Sequence, residues 1–488
     1  MSALPSADAG PTFAIVTLGC ARNEVDSDQL AGLLARDGYR FVEDPVGADV
    51  VLVNTCTFIT PATEESVDTV LAACDLKRDA TRAVVVVGCM AERYREELAA
   101  AVPEADAVVG FGAYPRLPSI VGDLLAGRLA PRFQGSRPAS VGHALPLHPV
   151  GGGSRRGYLE QDVLDRIPPT GPRFDPPRTS AAARPWAYLK IASGCDRTCT
   201  FCAIPSWRGR FRSRPLDEIL REAASLVARG TRELVLVSEN TTSWGKDLDG
   251  GRDLQPRLLE SLCELEGLHR VRLMYLQPAE LRRPLLEAIA TLPRVASYFD
   301  LSLQHVASDL LRGMSRRGSP ERFRQLVDDI RQLDPRAVLR SNFIVGFPGE
   351  TDEHVAQLAD FLTDARLDWV GLFAFSPQEG TAAPQMPGQV PDEVAAQRLH
   401  ALADLQEEVA DDRARTFVGR RLEVTVQTVD DDGCVARSYR EAPDTDGEIR
   451  LLAQDGMTPA RLAVGRTVTA EVVDAEGVDL VAIHDGRG

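Results

Sequence analysis

Three short runs near the start of the chain, FAIVTLGC, VVLVNTC and AVVVVGC, are almost continuously apolar and rich in β-branched residues. Such runs read as strands buried on both faces, the condition of a parallel sheet. Helix-like stretches, Glu24 to Arg36 and Ala62 to Leu76, lie between them. The alternation predicts a parallel α/β domain over residues 1–130. Each run also ends directly in a cysteine, Cys20, Cys56 and Cys89, spaced 36 and 33 residues apart. The carboxyl ends of parallel strands share one edge, where ligands bind, so these three thiols can converge.

Beyond this domain the pattern changes three times. Residues 131–183 hold nine prolines, a GGG triplet and scattered arginines, and read as a linker largely without regular structure. From 184 to 415 the β/α alternation returns. Six strand candidates, AYLKIA, ELVLVS, VRLMYL, YFDLSL, SNFIVGF and WVGLFAF, are separated by helical stretches such as Leu216 to Arg229 and Pro320 to Gln332. Six units predict a partial (β/α)6 barrel. Over 416–488 the period shortens to strands RLEVTVQTV, EIRLLA, TVTAEVVDA and DLVAIH between DDG, PDTDG and EG turns, which predicts a small antiparallel β barrel.

The densest chemistry is Cys195-x3-Cys199-x2-Cys202, three thiols on one loop directly after the strand AYLKIA. A closed zinc site needs four ligands, and no histidine or further cysteine lies near this loop. Three thiolates on an iron–sulfur cube leave the fourth iron free to bind a small molecule. In a chain with nine cysteines in such clusters, metal or redox roles are expected over structural disulfides. Cys74, Cys263 and Cys434 fall outside both sets and read as ordinary. Arg208, Arg210, Arg212 and Arg214 alternate just past the loop, a pattern that would point them to one face, either to grip an acidic substrate or a phosphate or, as the commoner outcome, as a solvated, salt-bridged face.

The segment from Lys190 to Pro205, KIASGCDRTCTFCAIP, continued by Arg208-Gly209 and Arg212-Ser213-Arg214, resembles the cluster loop of the radical SAM methylthiotransferases. LGCARNEVDS, VNTCTF and VGCMAERY resemble that family's N-terminal cysteine contexts. LQHVASDLLRGMSRRGS, SNFIVGFPGET and FAFSPQEGTAA resemble its barrel motifs. The resemblance covers nearly the whole chain outside the linker. It implies an N-terminal methylthiotransferase domain, a radical SAM barrel and a C-terminal TRAM barrel.

It also implies chemistry. Cys195, Cys199 and Cys202 would hold a 4Fe-4S cluster that binds and reductively cleaves S-adenosylmethionine. Cys20, Cys56 and Cys89 would hold a second, auxiliary 4Fe-4S cluster connected with the inserted sulfur. Phe201 would lie near the adenine. Ser238, Glu239 and Asn240 would meet the methionine amino group, with Glu239 standing where family members more often carry glutamine. Ser302 and Gln304 would meet the ribose, and Arg340, Asn342 and Ile344 would complete the pocket from the fifth strand. The net outcome is a transferase reaction, insertion of a methylthio group into a C–H bond. It requires a reductant such as flavodoxin or ferredoxin and a sulfur donor.

Two family branches differ in substrate. One modifies an adenosine in tRNA, the other the β-carbon of an aspartate in ribosomal protein S-12. The segment Ala436 to Gly447, ARSYREAPDTDG, resembles the protein-modifying branch. Charge agrees. Residues 416–488 carry eight arginines and no lysine against fourteen acidic residues, and the whole chain has net charge −16. That suits an Arg/Lys-rich protein better than a phosphate backbone. A non-catalytic iron–sulfur or RNA-binding module is the reading from a different class, and the complete cysteine set weighs against it. With no secretory signal and no long apolar run, a cytoplasmic monomer without membrane contact is expected.

Overall fold

The computed structural model describes residues 10–128, 132–135, 184–430, 433–453 and 462–484. The three apolar runs form β1 (Thr12–Thr17), β3 (Val50–Thr55) and β4 (Ala83–Gly88), and every residue of β3 and β4 is buried. With β2 (Arg40–Phe41), β5 (Ala107–Val109) and β6 (Phe133–Gln134) they make a parallel sheet ordered β2-β1-β3-β4-β5-β6. Helices α1 (Ala21–Arg36) and α4 (Leu117–Leu125) cover one face through Leu30, Leu34, Leu117 and Val121. Helices α2 (Thr60–Asp75) and α3 (Cys89–Ala101) cover the other through Val70, Ala73, Met90 and Leu98. Strand order reverses between β1 and β3, and open α/β sheets bind ligands at such a switch point. Cys20 and Cys56 leave the sheet there. Strand β6 falls inside the stretch read as a linker, because Phe133 and Gln134 pair with Val108 and Val109. The sheet therefore extends past residue 130. Residues 136–183 lie outside the described residues.

All six expected barrel strands are present: β7 (Trp186–Lys190), β10 (Glu233–Val237), β11 (Arg270–Leu273), β12 (Tyr298–Gln304), β13 (Val338–Val345) and β14 (Trp369–Ala374). They form two parallel trios, β7-β10-β11 and β12-β13-β14, joined by parallel bridges at Val271–Val295 and Leu276–Leu301. β7 and β14 are edges, so the barrel is partial. Helices including Leu216–Ala228, Leu254–Cys263 and Pro320–Leu333 bury Ile219, Leu226, Leu258, Leu262, Phe323 and Ile330 against its outside. On the concave side Tyr188, Val235, Val237, Met274, Tyr298 and Val338 pack with Val25 of α1 and Ala442 of the C-terminal domain. The neighbouring domains thus share the barrel interior.

The C-terminal domain is a closed five-stranded barrel, β15 (Arg421–Asp430), β16 (Gly433–Arg437), β17 (Ile449–Ala453), β19 (Asp479–His484) and β18 (Thr467–Glu476) in spatial order. Four strands match the sequence reading. The fifth, β16, was not expected from the sequence and buries Cys434 and Ala436 in the barrel core. Pairing is antiparallel except between β17 and β19.

The segment after β16 is internal. Ser438, Arg440 and Glu441 are fully buried. The Ser438 backbone N–H and hydroxyl donate to Glu441 Oε2 (2.9 and 2.8 Å). Trp369 Nε1 donates to the Arg440 carbonyl (3.0 Å) and Arg272 to the Tyr439 carbonyl (2.8 Å). Glu233, at the start of β10, pairs with Arg272 (2.8 Å), Arg437 (3.1 Å) and Arg270 (3.5 Å), tying β16 to the six-stranded partial barrel. Burial alone would raise the Glu233 pKa. Arg437, Arg272 and Arg270 outweigh it and hold the carboxyl at about 2. A carboxylate whose pKa falls on folding stabilises above its unfolded value, and that contribution is lost as pH drops toward the folded one. Glu233→Gln leaves three buried guanidiniums without their carboxylate and is expected to cost about 3–5 kcal/mol at neutral pH. In thermal melts the variant should also lose stability less steeply than the parent as pH falls from 4.5 toward 2.

Candidate functional site

The site forms where the carboxyl edge of the N-terminal sheet meets the carboxyl ends of the barrel strands. Cys20 caps α1, Cys56 follows β3, and Cys89 opens α3. Asn23, fully buried, knits them together. Its backbone N–H donates to the Cys20 carbonyl (2.8 Å), its amide donates to the Thr55 carbonyl (3.0 Å), and the Cys89 thiol donates to its Oδ1 (3.6 Å). Gly19 has φ +87°, and a Cβ there would stand 2.7 Å from Cys56 Sγ. Glycine is required both for the turn and for that approach. The predicted convergence of the strand-end cysteines is therefore observed.

The second triad lies on the loop after β7. Gly194 has φ +80°, and a side chain there would collide with the Arg210 carbonyl. Arg197, inside the loop, donates to Glu280 (2.6 Å), which also accepts from Ser243 (2.6 Å) and Arg252 (3.2 Å). Arg316 donates to Cys199 Sγ (3.7 Å) and to the Ser302 carbonyl. Among the described residues no three His, Cys, Asp or Glu side chains are already gathered in metal-coordinating geometry. The donors are nonetheless two sets of three thiols, each with guanidiniums aimed at it.

Those guanidiniums set the thiol acidities. Burial pushes Cys199 up, but Arg316 and Arg197 bring it below its ordinary 9.0. Burial and the Cys199 charge raise Cys202 to about 12, and the same two causes raise Cys195 further. In the other triad burial raises Cys20, and Arg22 and Arg208 reverse it to a net lowering. Cys56 is raised to about 11 by burial and the Cys20 charge. Cys89 is also raised, burial outweighing Arg208. Each triad thus has one acidic thiol beside two reluctant ones.

The triads face each other across the domain boundary. Arg208, six residues past Cys202 and 2% exposed, donates to Cys89 Sγ (3.2 Å), Asn23 Oδ1 (2.8 Å) and Asp26 Oδ2 (2.8 Å). Asp26 also binds Lys190, the last residue of β7. From the other side Arg22, two residues past Cys20, donates to the Ser238 carbonyl (3.2 Å), pairs with Glu239 (3.6 Å) and stacks on Tyr275 (4.8 Å). Its charge also reaches Cys202. The expected solvated row of arginines is corrected here. Arg208 ends a short helix, Ile204–Arg208, and is buried as an ion-pair partner, while Gly209 turns the chain away, so the alternation never becomes one strand face.

Of the pocket residues named from the sequence, Ser238, Glu239 and Asn240 directly follow β10, Ser302 and Gln304 lie at the end of β12, Arg340 and Asn342 stand within β13 with Ile344 near its end, and Phe201 is on the cysteine loop. Glu239 faces Arg22 and Arg208 (3.9 Å), and its Oε2 meets no hydrogen-bond partner among the described residues. The Ser238 hydroxyl accepts from the Asn240 N–H (3.1 Å), and the Asn240 amide donates to Ser243 (2.9 Å) and lies beside Glu280. Gln304 ends β12 at φ +73°. Arg340 is held by Asp300 (3.0 Å) and Asp446 (3.3 Å). Asn342 Oδ1 is buried with no hydrogen-bond partner among the described residues, and Phe201 and Ile344 pack on the barrel core. Cys74 and Cys434 are core residues, and Cys263 packs beside the core. Arg22, Asp26, Arg197 and Arg316 went unassigned in the sequence reading, although each lies inside a motif it singled out.

Three profile matches tile the chain: the uncharacterised protein family UPF0004 over residues 12–110, the Radical SAM superfamily over 189–362 and the TRAM domain over 418–483. The ribosomal protein uS12 methylthiotransferase RimO of Streptomyces avermitilis is 47% identical over 485 residues, 96% of each chain. The protein of that name from Kineococcus radiotolerans is also 47% identical, over 98% of each chain. Among solved structures, the radical S-adenosylmethionine methyltransferase TsrM from Kitasatospora setae, with cobalamin and a 4Fe-4S cluster bound, aligns at TM-score 0.51 and 15% identity. That alignment covers 93% of this chain and 83% of TsrM, and it is a likeness of fold.

The electrostatics predict an order of reactivity in the iron-free protein. Alkylation followed by peptide mass spectrometry across a pH series should label Cys199 at lower pH than Cys195 and Cys202. Cys20 should likewise precede Cys56 and Cys89, because the thiolate is the nucleophile.

Proposed function

The chain belongs to the ribosomal protein uS12 methylthiotransferases, transferases of the radical SAM superfamily, and on that premise we propose that it inserts a methylthio group at the β-carbon of an aspartate in ribosomal protein uS12, using two 4Fe-4S clusters and S-adenosylmethionine. The observation that carries this reading is the opposition of the two thiol triads across one buried boundary. Arg208 comes from the Cys202 side and bonds Cys89, while Arg22 comes from the Cys20 side and bonds the end of β10. A sulfur-bearing group on one triad and a radical source on the other would then share a single reaction space.

The residues fit these groups. Cys195, Cys199 and Cys202 would hold the cluster that binds S-adenosylmethionine, and three ligands leave one iron open. Cys20, Cys56 and Cys89 would hold the auxiliary cluster. When bound, this pair of groups supplies a radical able to take hydrogen from an unactivated C–H bond, together with the sulfur and methyl to be transferred. The remaining work belongs to the protein. Arg316 and Arg197 favour the thiolate form of Cys199, and Arg22 and Arg208 that of Cys20. The Arg197–Glu280–Ser243 network fixes the loop beneath the cofactor. The closed boundary through Asp26, Lys190 and Arg208 keeps water from a reactive intermediate. Ser238, Glu239, Asn240, Ser302, Gln304, Asn342 and Ile344 line the strand ends where S-adenosylmethionine would lie. A low-potential reductant and a sulfur donor complete the stoichiometry. No helix among the described residues is long and apolar enough to cross a membrane, consistent with a ribosomal substrate.

Reconstituted under anaerobic conditions, the full chain should bind about eight irons and cleave S-adenosylmethionine on reduction. It should add a methylthio group to uS12, located by tandem mass spectrometry on one aspartate. The triple variant Cys20→Ala/Cys56→Ala/Cys89→Ala should hold about four irons and transfer nothing. Cys199→Ala should lose reductive cleavage altogether. Modification of tRNA in place of uS12 would overturn the substrate assignment.

A further inference from the structure

The helix Asp392–Arg415 turns a stripe of Ala395, Leu402, Gln406, Val409, Ala410 and Ala414 toward the interior. Five of these six are apolar. Gln406 is the exception, 6% exposed, and neither its amide nitrogen nor its amide oxygen meets a hydrogen-bond partner among the described residues. Buried polar groups in native proteins are overwhelmingly paired, so an amide with both ends idle marks a place where a partner belongs.

Gln406 lines a cleft of about 690 Å³ between this helix, strand β14 and the loops of the C-terminal barrel. The apolar wall includes Trp369, Val370 and Leu372 of β14. Among the described residues that strand pairs only with β13, so no further strand takes its outer edge. The cleft carries acidic groups and no basic ones. Asp368 and Asp446 are already paired with Arg413 and Arg340. Glu407 and Glu448 are exposed and their carboxylates have no partner among the described residues.

We propose that this cleft is a docking groove for an extended, Arg/Lys-bearing segment of the ribosomal-protein substrate, a role that rests on the reaction proposed above. Three features require the same occupant. An open strand edge pairs with extended backbone. A side-chain amide with a free donor and a free acceptor matches one peptide group. Two unpaired carboxylates at the rim select cationic side chains and repel a phosphate backbone.

The test measures binding without turnover. The iron-loaded full chain is titrated with purified uS12 by fluorescence anisotropy over a salt series. Glu407→Arg/Glu448→Arg should weaken binding about tenfold and flatten its salt dependence. Gln406→Leu should weaken it severalfold without lowering the melting temperature, because leucine continues the apolar stripe. Glu64→Arg/Glu65→Arg, on the exposed face of α2, should change neither. A photo-crosslinking residue at Ala403 should label a basic peptide of uS12. Unchanged affinity in both groove variants would overturn the proposal. So would the absence of uS12 binding by the parent, or a crosslink to RNA or to a second copy of the chain. Binding through the groove with no methylthio transfer would instead count against the reaction and leave the groove standing.

Discussion

One buried carboxylate joins the two halves of the site. Asp26, on the inner face of α1 and 1% exposed, accepts from Lys190 at the end of β7 and from Arg208 just beyond the cysteine loop. Three charges so far from water are stable only with close geometry and further hydrogen bonds, and Arg208 has both in Asn23 and Cys89. The consequence is positional. α1 is pinned over the barrel mouth, so Cys20 and Cys89 are carried to the side of the barrel where Cys202 sits. Without Asp26, Lys190 would lose its buried carboxylate and Arg208 would keep only the more distant Glu239 (3.9 Å), a far larger penalty than losing a surface ion pair.

Around the seam the backbone departs from its relaxed forms. Tyr275, directly after β11, has φ +61°, and Gln304, at the end of β12, has φ +73°. Non-glycine residues in this region cost about 1–3 kcal/mol each, so they persist only where the surroundings over-determine them. For Tyr275 the restraint is visible. Its N–H donates to Asp300 Oδ2 (2.8 Å), and Arg22 lies across its ring. The strain places the ring at the boundary where Arg22 must lie between Cys20 and the end of β10.

The architecture was legible in the chain because period and composition report burial directly. Strands buried on both faces must be continuously apolar, and β3 and β4 are. The convergence of Cys20, Cys56 and Cys89 followed from topology alone, since parallel strands share a carboxyl edge. Charge pairing was not legible. Alternation made Arg208 look like one of a solvated row, whereas its partner Asp26 lies 182 residues away, across a domain boundary. A long-range ion pair leaves no periodic trace. β6, only two residues long, was missed because it is too short to show a pattern of its own. The orphan amide of Gln406 did leave a signal, a polar residue in an apolar helical stripe, but only the packing showed that nothing answers it.

The segment Ser438 to Asp446 shows how the three domains constrain one another. Its central residues are inside the molecule. Asp446 accepts from Tyr298 (2.7 Å) and pairs with Arg340 on β13. Arg340 pairs with Asp300 on β12, Asp300 accepts from the Tyr275 N–H, and the Tyr275 ring carries Arg22 of the N-terminal domain. A polar chain therefore crosses the barrel interior from the C-terminal barrel to the residue beside Cys20, its links buried or half-buried and each fixing the next. Arg340, expected from the sequence at the cofactor, is the middle link. Through these contacts the segment fixes where the small barrel stands relative to the two thiol triads.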